Sequence, residues 1–149
     1  MKGFLSKRPA GHAVKEKLGA ELAANLQGGL PAIPLTGFLS LRTAWQNDCN
    51  PDYVYAQLVH ALGRPGDVLV GISTSGNSKN VAYALETAQK SGLRTVALTG
   101  EGGGRAAELA ELSIRVPSRE VHLIQEMHLP VYHALCLMLE DEFFPEGGA

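Results

Sequence analysis

Four hydroxyl side chains fall within the six residues Ser73-Thr74-Ser75-Gly76-Asn77-Ser78. Hydroxyls are neutral donors that can turn toward an anion. The first amides of a helix have no intrahelical acceptor and carry the positive end of its dipole. Gly76 lets backbone approach a ligand or take a positive φ. A loop of this kind ahead of a helix cradles a phosphate monoester without a lysine. Ser73, Thr74, Ser75, Asn77 and Ser78 are therefore the candidate ligand-binding residues. The competing reading is that Ser75, Asn77 or Ser78 only caps the following helix, which accounts for one such residue but not for four hydroxyls. The loop is neither a Walker loop nor a dinucleotide fingerprint: Gly-Lys-Ser/Thr and the G-x-G-x-x-G spacing are both absent.

A second group lies near the C-terminus. Spacings of three and four place His122, Gln125, Glu126, Leu129 and His133 on one helical stripe, with His128 and Tyr132 on a neighbouring face. Such residues are either polar partners satisfied in a core or subunit interface, or members of a site. Pro130 frees the Glu126 carbonyl and is expected to kink the helix. Asp48, in Asn47-Asp48-Cys49-Asn50-Pro51-Asp52, reads as a turn or cap residue.

These residues need a frame. Asp67-Val68-Leu69-Val70-Gly71-Ile72 is a nearly all-apolar run, the pattern of a strand covered on both faces, and it leads into the hydroxyl loop. A helix follows, with Val81, Ala84, Leu85 and Ala88 on one face and Ser91-Gly92 at its end. Next come a strand over residues 95–98, a short helix over residues 105–110, a strand over residues 112–116 and a long helix from about 120 to 141. Strands alternating with helices make a parallel sheet flanked by helices, with strand carboxyl ends gathered on one edge, where ligands bind. Upstream, residues 14–27 carry Val14, Leu18, Leu22 and Leu26 four apart and predict an amphipathic helix closed by Gly28-Gly29. A short strand is expected at residues 32–35 despite Pro31 and Pro34, and a short helix at residues 52–62.

The 149 residues are 45% hydrophobic and 19% charged, the composition of one globular domain. A net charge of −2, scattered positive residues and 6% aromatics argue against nucleic acid as a partner. Cys49 and Cys136 form no Cys-x-x-Cys pair and no disulfide framework, which points to a cytoplasmic protein with reduced thiols. Residues 121–139 are greasy, but His122, Gln125, Glu126, His128, Pro130 and His133 make insertion into a membrane costly. The long helix is apolar around most of its circumference, so self-association is expected.

The string Gly-Ile-Ser-Thr-Ser-Gly-Asn-Ser at 71–78, with Leu98-Thr99-Gly100 and Arg115-Val116-Pro117, resembles the sugar isomerase (SIS) domain family. With Asn47-Asp48 and Ile124-Gln125-Glu126-Met127-His128, it is most similar to the phosphoheptose isomerases, over roughly residues 30–142. The resemblance implies an α/β fold, a three-layer αβα sandwich with a mainly parallel sheet, and conversion of sedoheptulose 7-phosphate to D-glycero-D-manno-heptose 7-phosphate. It implies that Gln125 and His133 bind zinc and act in catalysis, His133 as acid or base, and that Asp48 contacts the sugar. His122 stands where the family often has an aspartate. The resemblance also implies a homo-oligomer, dimer or tetramer, with sites between subunits.

Family members begin with a helix, a strand, a Gly-rich loop and a helix whose histidine and glutamate complete the metal site. Lys2-Gly3-Phe4 resembles the stretch just beyond that glutamate. The chain is therefore expected to be an N-terminally shortened form, a single domain over residues 1–149. The isolated chain is expected to bind phosphosugar with weak or absent isomerase activity. The alternative from another class is a non-catalytic SIS module that senses a phosphosugar or serves in assembly.

Overall fold

The computed structural model describes residues 16–144. They form two compact units, one spanning Pro34–His133 and the other drawn from residues up to Ile33 and from Ala134 onward. The elements, in chain order, are α1 (Ala20–Asn25), α2 (Leu39–Asp48), α3 (Val54–Leu62), β1 (Val68–Ser73), α4 (Lys79–Lys90), β2 (Arg94–Thr99), α5 (Gly104–Leu109), β3 (Leu112–Arg115) and α6 (Val121–Phe143). Short 3-10 turns occupy Leu35–Gly37 and Pro51–Tyr53.

In the larger unit, β1, β2 and β3 form a parallel sheet in that order. The register aligns Ser73 with Thr99 and Thr99 with Arg115, so the carboxyl ends of all three strands share one edge. This is the α/β architecture that the alternation of strands and helices predicts.

One sheet face is packed by α4 and α5. Leu85, Ala97 and Ala106 are fully buried there, with Leu69, Val81 and Leu109 against them. Gly71 belongs to this face because a side chain there would press on Val81 and Leu85. A second cluster, Val59, Ala84, Ala88 and Leu93, joins α3 to the far side of α4. The amphipathic pattern of α4 is thus used twice, once toward the sheet and once toward α3.

The other face differs from the expectation of a strand covered on both sides. Val68, Val70 and Ile72 are 59%, 50% and 52% exposed, as is Leu112 at 57%. At the carboxyl edge, Ile124 of α6 lies close enough to Gly100 that a Cβ there would meet its Cδ1 at 2.5 Å.

Three local expectations are corrected. Residues 32–35 form no strand, since Pro31 and Pro34 have no N–H for a ladder; the chain takes the 3-10 turn Leu35–Gly37 instead. Asn47 and Asp48 are not a free turn but the end of α2, with the Cys49 N–H bonded to the Trp45 carbonyl at 2.8 Å. The helix expected over residues 14–27 is interrupted at Gly19, whose φ of 82° leaves helical space. Its stripe is not buried: Leu18, Leu22 and Leu26 are 40%, 55% and 47% exposed. Val14 lies outside the described residues. In this smaller unit, Gly28 sits directly under the Phe144 ring. Helix α6 runs through Pro130 without a break in its assignment.

Candidate phosphate-binding loop

The loop leaves β1 at Ser73, a buried residue at the carboxyl edge of the sheet. Its neck is closed by Ser73 Oγ and Ser78 Oγ, 3.0 Å apart. The Gly76 N–H donates to the Ser73 carbonyl at 3.1 Å and the Asn77 N–H to Ser75 Oγ at 3.1 Å. Asn77 Nδ2 donates to the Ser75 carbonyl at 3.2 Å.

The tip docks on a second glycine-rich segment. The Ala106 N–H donates to the Gly76 carbonyl at 2.8 Å and the Arg105 N–H to Asn77 Oδ1 at 3.2 Å. Gly76 has φ 69°, and a side chain there would run into the Gly103 carbonyl. Gly103 has φ 70° and no room for a Cβ, which would meet the Arg115 guanidinium at 2.7 Å. Behind the tip, the Gly100 N–H donates to the Thr74 carbonyl at 3.0 Å.

These bonds have a polarity. The carbonyls of Ser73, Thr74, Ser75, Gly76 and Ser78 all accept from the protein's own groups. The N–H groups of Ser75, Ser78, Lys79 and Asn80 have no acceptor among the described residues, and neither does the Thr74 hydroxyl. Helix α4 starts at Lys79, and its N-cap Ser78 makes no side-chain capping bond. Capping of α4 therefore does not account for the hydroxyls. Donors remain at a helix N-terminus, which is what an anion requires.

Asn77 also has a structural part in the loop. Its side chain donates to the Ser75 carbonyl and accepts from the Arg105 N–H, so it acts as a strut between loop and α5. Lys79 lies 3.7 Å from Asp52 and ties the turn Pro51–Tyr53 to the start of α4. Asp48 ends α2, exposed, with no hydrogen bond or ion pair to the loop among the described residues.

On α6, Gln125, Glu126, Leu129 and His122 are exposed, whereas Ile124 and His128 are buried. Gln125 and its exposed neighbours are thus turned away from the buried face. His133 is half-buried, and the Tyr132 ring meets it edge-on at 5.0 Å. Among the described residues no group of three or more His, Cys, Asp or Glu side chains gathers for a metal. Gln125 and His133 alone do not fit a zinc site, which takes three or four protein ligands.

Sequence reasoning gave no role to Gly103 and none to His128 beyond its place in the string Ile124-Gln125-Glu126-Met127-His128. The run Gly102-Gly103-Gly104 was the available signal for Gly103.

Comparison with known proteins agrees with this geometry. A sequence model of the SIS domain family matches residues 20–100. A phosphoheptose isomerase of Akkermansia muciniphila is 45% identical over 139 residues, covering 91% of this chain and 72% of that protein. One from Rhodospirillum rubrum is 48% identical over 127 residues, covering 80% of this chain and 68% of that protein. Among solved structures, the phosphoheptose isomerase of Neisseria gonorrhoeae superposes with a TM-score of 0.73 at 43% identity, covering 75% of this chain. That of Francisella tularensis also gives 0.73, at 37% identity over 76% of this chain. The chain spans 62% and 63% of the lengths of those two structures. With the loop, the strand order and these likenesses in agreement, the chain belongs to the phosphoheptose isomerase family of SIS-domain proteins.

Proposed function

We propose that this chain binds a phosphosugar through the loop after β1 and is an aldose–ketose isomerase, interconverting sedoheptulose 7-phosphate and D-glycero-D-manno-heptose 7-phosphate. The observation that carries the reading is the donor bias of residues 73–80, where the carbonyls of Ser73, Thr74, Ser75, Gly76 and Ser78 accept from the protein and the N–H groups of Ser75, Ser78, Lys79 and Asn80 are left without acceptors among the described residues. A dianionic phosphate fits that bias, and the likeness to phosphoheptose isomerases supplies the sugar.

The reaction removes the C1 proton of the ketose, forms an enediol across C1 and C2, and returns a proton to C2, while a hydroxyl proton passes from O1 to O2. We assign the proton transfer to His133 and the orientation of the sugar hydroxyls to Gln125 and Asp48. Zinc binding at Gln125 and His133 would need further ligands, so no step is routed through it. With His133 alone assigned to proton transfer, turnover is expected to be slow relative to binding. Self-association through the apolar circumference of α6 and a cytoplasmic location belong to the same reading. No helix among the described residues is long and apolar enough to cross a membrane.

The test is incubation with sedoheptulose 7-phosphate in D2O, followed by proton NMR. Isomerisation places one solvent deuterium at C2 of the aldose, and His133→Asn abolishes it. Binding of the sugar phosphate with no deuterium at C1 or C2 would leave the non-catalytic module.

A further inference from the structure

We propose that His128 is a positioning residue for the phosphosugar site: it pins the end of β2 and, through Gly100, holds the Thr74 segment of the ligand loop in place. The inference rests on the phosphosugar reading above and extends it to a residue outside the loop.

His128 is 3% exposed and lies on the buried side of α6, with its Nε2 3.1 Å from the Thr99 carbonyl. A carbonyl only accepts, so this contact requires a proton on Nε2. The Thr99 carbonyl also accepts the Val116 N–H at 3.0 Å, so both of its lone pairs are engaged. The very next amide, Gly100 N–H, is the one that donates to the Thr74 carbonyl. The Thr99-Gly100 corner is tightly enclosed. A Cβ on Gly100 would lie 2.8 Å from the Ser118 carbonyl and 2.9 Å from that of Thr74.

Helix α6, the end of β3 and the loop after β1 therefore meet at one peptide unit, and His128 is the side chain of α6 hydrogen-bonded to it. His128 sits on the same helix as Gln125 and His133. Sliding or rotating α6 breaks the bond to Thr99, so the bond fixes where those two residues stand relative to Thr74. An apolar residue of similar volume would fill the space and leave the Thr99 carbonyl one donor short, freeing the Gly100 corner to move.

The experiment compares the wild-type chain with His128→Leu and His128→Gln, the latter keeping an N–H donor. Amide hydrogen exchange at Gly100 is read by NMR on the free chain, and affinity for sedoheptulose 7-phosphate by calorimetry. For a folded His128→Leu we expect exchange at Gly100 to be about tenfold faster and affinity about tenfold weaker, the order of one lost buried hydrogen bond, with His128→Gln restoring both. Should His128→Leu not fold, His128→Asn, whose shorter amide falls away from Thr99, replaces it against His128→Gln. Unchanged affinity in a folded variant lacking the donor overturns the proposal, whether or not exchange at Gly100 rises. Failure of the wild-type chain to bind any sugar phosphate overturns the functional reading itself, and is seen before any variant is made.

Discussion

Asn77 Oδ1 accepts the N–H of Arg105, 28 residues further along the chain, at 3.2 Å. This bond turns a hydroxyl-rich loop into a fixed cradle. It anchors the loop tip to the first turn of α5, while the Ala106 N–H holds the Gly76 carbonyl beside it. Asn77→Ala is expected to cost about 0.5–1.5 kcal/mol, the net worth of a protein hydrogen bond, and to weaken sugar-phosphate binding. Thermal unfolding and calorimetry read the two effects. An Asn77→Ala chain that binds more tightly would contradict the strut role.

Gly76 is the tightest point of the cradle. Its positive φ costs a side-chain-bearing residue roughly 1–2 kcal/mol, and a Cβ would overlap the Gly103 carbonyl. Gly76→Ala should therefore keep its circular dichroism and lose ligand binding, because the loop must lift off α5.

The frame behind the loop depends on a fully buried Leu85, which packs α4 against the sheet beside Ala97 and Ala106. Leu85→Ala is expected to destabilise the chain by about 2–5 kcal/mol, the range for emptying a leucine site. Denaturant unfolding measures it, and the cost should exceed that of any single loop substitution.

Much of this arrangement could be read along the chain, and the remainder is instructive. β1, its loop and α4 were legible because a continuous apolar run, a cluster of hydroxyls and a helical face follow one another without interruption. The strut role of Asn77 was not, because its partner Arg105 is distant in sequence and engages through its backbone, which carries no residue signature. Helix α2 was missed because its N-cap Phe38 makes no side-chain capping bond and none of its residues is buried. The exposure of Val68, Val70 and Ile72 was also hidden, since their apolar character alone predicts burial on both faces. At α6, spacing placed Gln125 and His133 two turns apart on one helix but could not tell which face of the helix turns inward.

A pH effect follows at α4. Hydrogen bonding to Lys90 at 2.7 Å, then the Coulombic pull of Lys90, lowers the Glu86 pKa against desolvation, with Arg105 adding a lesser pull. A lowered folded-state pKa means the contribution to stability is present above the ordinary carboxylate range and is lost as pH falls through the folded value. In Lys90→Ala, an NMR titration should show the Glu86 midpoint moving up toward its ordinary value. No movement would mean the pair is not formed in solution.

Whether the donors after Ile72 hold a phosphate is decided by calorimetric titration with sedoheptulose 7-phosphate against unphosphorylated sedoheptulose. Saturable binding of the phosphorylated sugar only, competed by inorganic phosphate and lost in Gly76→Ala, is the expected result. Equal binding of both sugars, or binding of the phosphorylated one that survives Gly76→Ala, would contradict it.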